Sequence, residues 1–86
     1  MPRISEFFGI VIAMYYNDHV PPHFHAKYAE YQAEVAIESL EVLNGSLPRR
    51  ALALVLEWAE VHREALRMNW VAARKGQPLS RIRGLE

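Results

Sequence analysis

The chain has no cysteine, so neither a disulfide nor a thiolate metal site is available to it. It has no GxGxxG, no Walker-type phosphate loop and no GxSxG nucleophile elbow. No hydrophobic run approaches the roughly 18 residues that a membrane-spanning helix needs. The longest apolar stretch, Phe7 to Tyr16, is too short to span and lacks the basic flank and cleavage-site pattern of a signal peptide. Net charge is also lacking: ten Lys/Arg balance ten Asp/Glu, which argues against a general nucleic-acid binder. A single domain over residues 1–86, in a reducing cytoplasm, is the reading these absences leave.

The zero balance hides an asymmetry. Residues 1–61 hold four Lys/Arg against eight Asp/Glu, and residues 62–86 hold six against two. The basic end suits the C-terminus of a helix, whose dipole favours cations there, and would also attract an acidic partner or RNA phosphate. Hydrophobic residues make up 51% of the chain, enough to exclude a disordered one.

Phe7 to Tyr16 reads as a strand. Asn17-Asp18-His19 and Pro21-Pro22 then break the pattern as a loop. His23 to Tyr28 alternates, with His23, His25 and Lys27 against Phe24, Ala26 and Tyr28. Tyr31 to Glu38 alternates again. A two-residue turn at Ala29-Glu30 would pair Tyr28 with Tyr31, Ala26 with Ala33 and Phe24 with Val35 on one face. The other face would then pair Lys27 with Gln32, His25 with Glu34 and His23 with Ala36. A slip by one residue would mix the faces. Asn44-Gly45 reads as a turn, Ser46 as a helix N-cap, and one helix is expected to run on to about Lys75, stopped by Gly76 and Pro78. The resulting expectation is an α+β fold, with a three-stranded antiparallel sheet packed on one long C-terminal helix. The alternating tail, Leu79 to Leu85, would be a fourth edge strand or a loose end.

That helix carries two apolar strips. Leu52, Val55, Leu56, Ala59, Leu66, Trp70 and Ala73 form a core stripe at helical spacing. Leu54, Trp58, Val61, Ala65 and Ala72 lie beside it, and one helix on one sheet leaves them wet. An exposed patch with a tryptophan usually marks an interface, so Leu54, Trp58 and Val61 are candidate partner-binding residues of a homodimer or a complex. Burial by the segment 39–47 or by Ile4 to Phe8 is the competing account. His62, at the edge of the core stripe, reads as a packed core residue.

The segment Asp18-His19-Val20-Pro21-Pro22-His23-Phe24-His25 holds three of the four histidines. Three readings compete. His23 and His25, on one strand face with Glu34 opposite, make a His-His-Glu trio suited to a divalent metal such as zinc or iron. Without a metal, the same three residues serve as acid, base and orienting carboxylate for cleavage of RNA, with Lys27, Arg49 and Arg50 holding phosphate. In the structural reading the two histidines cap the loop and hydrogen-bond to Asp18, Glu34 or backbone. The loop should stand off the sheet at Pro21-Pro22, leaving both imidazoles at least partly accessible. The aromatic residues between Phe7 and Tyr31 are more often core than base-stacking platforms.

At Pro21-Pro22-His23-Phe24-His25-Ala26 the chain resembles an uncharacterised bacterial family of unknown function. The likeness extends through Phe8-Gly9-Ile10-Val11-Ile12, Met14-Tyr15-Tyr16, Leu40-Glu41-Val42-Leu43 and Gly45-Ser46-Leu47-Pro48-Arg49-Arg50. It continues through Leu54-Val55-Leu56-Glu57-Trp58-Ala59, Asn69-Trp70 and Gly76-Gln77-Pro78-Leu79. Where the family has glycine-rich turns, this chain has Ala29-Glu30. The resemblance implies a small bacterial cytoplasmic protein, often encoded beside another tiny domain in a toxin–antitoxin-like gene pair. The expected partner is then the product of the adjacent gene, with no cofactor beyond a divalent metal. The resemblance carries over no catalytic residue.

Overall fold

The computed structural model describes residues 2–16 and 18–86. Asn17, which the sequence places in the loop before the histidines, lies outside them. Five strands form one antiparallel meander in chain order: β1 (Arg3–Phe7), β2 (Ile10–Ala13), β3 (His23–Tyr28), β4 (Tyr31–Ala36) and β5 (Val42–Ser46). Two helices follow, α1 (Arg49–Val61) and α2 (Arg63–Arg74). The expected three-stranded sheet under one long helix is therefore corrected on both counts.

The extra strands come from backbone conformations that periodicity does not register. The apolar run from Phe7 is two strands, because the chain reverses at Phe8-Gly9 with φ of 50° and 78°. Two successive positive φ values match the right-handed twist of a hairpin, and Gly9 was the one sequence sign of it. Asn44-Gly45 is part of β5, not a turn. Gly45, at φ 76°, passes so close to β4 that a Cβ there would lie 2.1 Å from the Gln32 carbonyl oxygen. The β4–β5 register also slips between Glu34 and Val35, as a bulge requires. Ser46 accordingly ends a strand, and Pro48 is the residue that caps α1.

The β3–β4 hairpin has the register derived from the sequence, from Tyr28 opposite Tyr31 to His23 opposite Ala36, with His25 opposite Glu34. Ala29 takes the strained left-handed conformation, φ 52°, that lets two residues make the turn.

The helical run breaks at His62, with φ −108° and ψ 24°. No proline or glycine marks the break, so the 3.6-residue pattern continues through it. Tertiary ties fix α2 instead. Arg63 Nε donates to the Ile37 carbonyl at 3.1 Å, and Arg67 forks onto Glu38 at 2.6 and 2.7 Å. The second apolar strip is not an exposed surface at its centre. Trp58 is fully buried, its ring 5.4 Å from that of Phe7 and 5.9 Å from that of Phe24. Its Nε1–H donates to the Arg83 carbonyl at 2.8 Å. An interface centred on Trp58 is thus corrected to a core position covered by the chain itself. Val61 stays exposed and Leu54 half-buried. His62 is half-buried beside the Trp58 ring.

The tail is not a strand, yet it is held. The Ile82 N–H bonds to the Ile4 carbonyl at 2.7 Å, and the buried Asn69 side chain makes two 2.8 Å bonds to the backbone of Ser80. No helix among the described residues is long and apolar enough to cross a membrane.

Candidate metal centre

Alternation along β3 sends Phe24 and Ala26 into the core and turns His23 and His25 to the opposite face. Residues 18–22 of the loop after β2 then fold back over that face. This closure is anchored by the Ile37 N–H, which bonds to the Pro22 carbonyl at 3.0 Å, and by Arg74 of α2, which donates to the Asp18 carbonyl at 3.1 Å. The expected open cleft is therefore half closed. His23 is fully buried, with the Trp70 ring 5.4 Å from its own, while the His25 side chain keeps 21% of its exposure. Tyr15 lies edge-on to His25 at 4.5 Å.

Folding the loop over brings Asp18 to the histidines. Its Oδ2 lies 3.0 Å from Nε2 of His25 and 3.0 Å from Nε2 of His23. The two contacts differ in kind. His25 makes a hydrogen bond to Asp18, whereas Nε2 of His23 is a buried atom without a hydrogen-bond partner among the described residues. The carboxylate oxygen is close to it but not aligned with it. The other His23 nitrogen, Nδ1, lies 2.8 Å from the Pro21 carbonyl, which can only accept. Nδ1 therefore carries a proton. Nε2 lies 3.0 Å from the Asp18 carboxylate and 3.7 Å from Oε1 of Glu34.

The electrostatics of Asp18 follow from these neighbours. Burial pushes its carboxyl up. The His25 hydrogen bond, the His19 N–H and the charges of His23 and His25 outweigh burial and hold it below the ordinary value.

Asp18, His23 and His25 thus have three ligand-type atoms within 4.8 Å of one another, and His19, His23 and Glu34 form an overlapping group. The trio expected from the sequence was His23, His25 and Glu34. Glu34 is the cross-strand neighbour of His25, but its carboxylate reaches toward His23, and Asp18 takes its place beside His25. The sequence offers Asp18 only as a structural hydrogen-bond partner of the histidines. The sign of more was a carboxylate seven residues before His25, with a proline-bounded loop between them.

Lys27 is exposed on the same face, two residues beyond His25. Arg49 and Arg50 are elsewhere. They open α1, and Arg50 lines a separate cavity of about 320 Å³ with Tyr28 and Phe8. Tyr28 ends the strand that His23 begins, about 17 Å away at the usual strand rise.

The arrangement can do two things. An imidazole held by a carbonyl at Nδ1, with its Nε2 beside a carboxylate and a second histidine, supplies the donor set of a divalent-metal site. Zinc lies about 2.0–2.1 Å from such ligands, which puts tetrahedral neighbours roughly 3.3 Å apart. The two separations to Asp18, 3.0 Å each, are within a few tenths of an ångström of that spacing, and the two imidazole nitrogens lie within 4.8 Å of each other. Alternatively, the half-exposed His25, oriented by Asp18, is a base without a metal.

Neither the curated proteins nor the solved structures contain a match to the chain. A family model does match, over residues 9–71, and that span includes every residue of the cluster. The chain belongs to the family described as domain of unknown function DUF4160.

Proposed function

We propose that this domain binds a divalent transition-metal ion of the zinc type, with Asp18, His23 and His25 as its protein ligands. The observation that carries the proposal is the buried Nε2 of His23, which has no hydrogen-bond partner among the described residues and lies 3.0 Å from a carboxylate oxygen. A buried polar atom left beside a carboxylate without an aligned hydrogen bond is in conflict with its surroundings, at a cost of about 1–3 kcal/mol. A cation between the two removes the conflict, and it displaces the single proton of the His25–Asp18 hydrogen bond. Two imidazoles and one carboxylate suit zinc or ferrous iron better than magnesium or calcium, which favour all-oxygen sites.

The test is calorimetric titration of chelator-treated protein with zinc. One ion should bind per chain. Asp18→Asn and His25→Gln should each weaken binding by more than the roughly 10–100-fold that loss of an outer-shell partner costs. His19→Ala, at an exposed position, should change it little. Absence of binding, or unchanged binding in both ligand variants, refutes the proposal.

A second reading rests on the His25–Asp18 hydrogen bond. In it the domain is one subunit of a toxin–antitoxin-like gene pair, and His25 acts on RNA as a base without metal. The partner would be the adjacent gene's product or a second copy of the chain. RNA cleavage that survives excess EDTA and is lost in His25→Gln would favour this reading over the first.

A further inference from the structure

We infer that the metal centre is hydrolytic and that its substrate class is the phosphodiester, with Glu34 as the general base. The inference rests on the metal-binding reading above and goes one step past it. Three protein ligands leave at least one coordination position open, which separates catalytic zinc sites from closed structural ones. Beside the group, His25 and Glu34 line a cavity of about 170 Å³ together with Gln32, Ala33, Asn44 and Gly45. Glu34 is outside the Asp18–His23–His25 group, yet its Oε1 comes within 3.7 Å of Nε2 of His23. A carboxylate beside the ion but not needed to hold it is placed to take a proton from metal-bound water.

The lining decides the substrate class. The cavity offers side-chain amides and no large apolar group that would grip a peptide side chain. Lys27, exposed on the same face, stands opposite Gln32 in the β3–β4 register, which sets a cation beside the cavity. Amide donors and a cation suit a singly charged phosphodiester. An ion held by Asp18, His23 and His25 would activate a water molecule, Glu34 would take one proton from that water, and the water oxygen would attack phosphorus. The bond from phosphorus to the leaving oxygen would break, and that oxygen would take the proton back from Glu34. The products are a phosphomonoester and an alcohol, and no redox change occurs.

The experiment uses the full chain loaded with zinc and bis(4-nitrophenyl) phosphate as the probe, with bound zinc measured on every sample. Wild type should hydrolyse the probe at least about 100-fold faster than the same concentration of free zinc. Glu34→Gln should keep one zinc per chain and its circular dichroism while losing about 100-fold in kcat, the lower end of what a general base contributes. Lys27→Ala should raise KM and leave kcat nearly unchanged. Bound zinc with no hydrolysis above free zinc, or a Glu34→Gln variant that retains the wild-type rate, overturns the hydrolytic inference and leaves the metal-binding reading standing. Failure to bind zinc removes both.

Discussion

His23 illustrates how far single residues could be read. That it shares a strand face with His25 and lies near Glu34 followed from alternation and pairing, both of which are periodic. That it is buried did not follow, because the loop that covers it has no period. Nor did Asp18 emerge as a ligand, since a loop residue's reach depends on where the loop folds. Gly45 is the same lesson at the backbone. Asn-Gly is a strong turn signal, but here the glycine serves an approach to the Gln32 carbonyl that no side chain allows. Gly45→Ala is therefore expected to destabilise the protein by about 2 kcal/mol or more, from a left-handed φ and a steric clash together. Urea denaturation of the variant measures it, and a cost within about 0.5 kcal/mol of zero would contradict the close approach. Trp58 gives a second residue-scale prediction. Trp58→Ala should cost about 3–5 kcal/mol as a core truncation. Trp58→Phe, which keeps much of the packing but strands the Arg83 carbonyl, should cost less than half of that.

Among the elements, β3 and β4 were legible because both faces of the pair agree on one register. The β1–β2 hairpin was not, since its turn puts a phenylalanine at positive φ, a choice that propensity disfavours. The one long helix is corrected to two: its stop before Gly76 holds, but its start moves from Ser46 to Pro48 and the chain breaks at His62. Nothing local requires that break. It comes from the ties between α2 and the turn after β4, of which the Arg67–Glu38 fork is the shortest. The fork makes a pH prediction. Hydrogen bonding to Arg67 holds the Glu38 carboxyl below its ordinary value of 4.5. A depressed carboxylate stabilises the fold fully above its unfolded value, and that stability is lost as pH falls through the lower folded value. Thermal melts of wild type and Glu38→Gln should accordingly differ at pH 7 and converge at acidic pH. The exposed pair makes the difference small, and a gap that widens on acidification would contradict it.

The whole molecule depends on its last residues more than their composition suggests. Leu79 to Leu85 is short and irregular, so only its alternation hinted that it packs. It seals Trp58, bonds to Ile4 of β1 and satisfies the buried Asn69. Deletion of residues 79–86 should lower the melting temperature by more than 10 °C or prevent folding, as circular dichroism will show. A truncated chain that melts like wild type would remove this account of the core. The same dependence on distant segments holds at the candidate site. Asp18 comes from the loop after β2, the two histidines come from β3, and Arg74 of α2 holds the loop in place. Metal binding should therefore raise global stability by mass action, since the unfolded chain does not bring these ligands together. X-ray absorption at the zinc edge of the loaded protein tests this central claim most directly. The account predicts a first shell of mixed nitrogen and oxygen at about 2.0–2.1 Å, with the outer-shell scattering of two imidazoles, one of which disappears in His25→Gln. A shell of oxygen alone, or imidazole scattering that is unchanged in that variant, would contradict it.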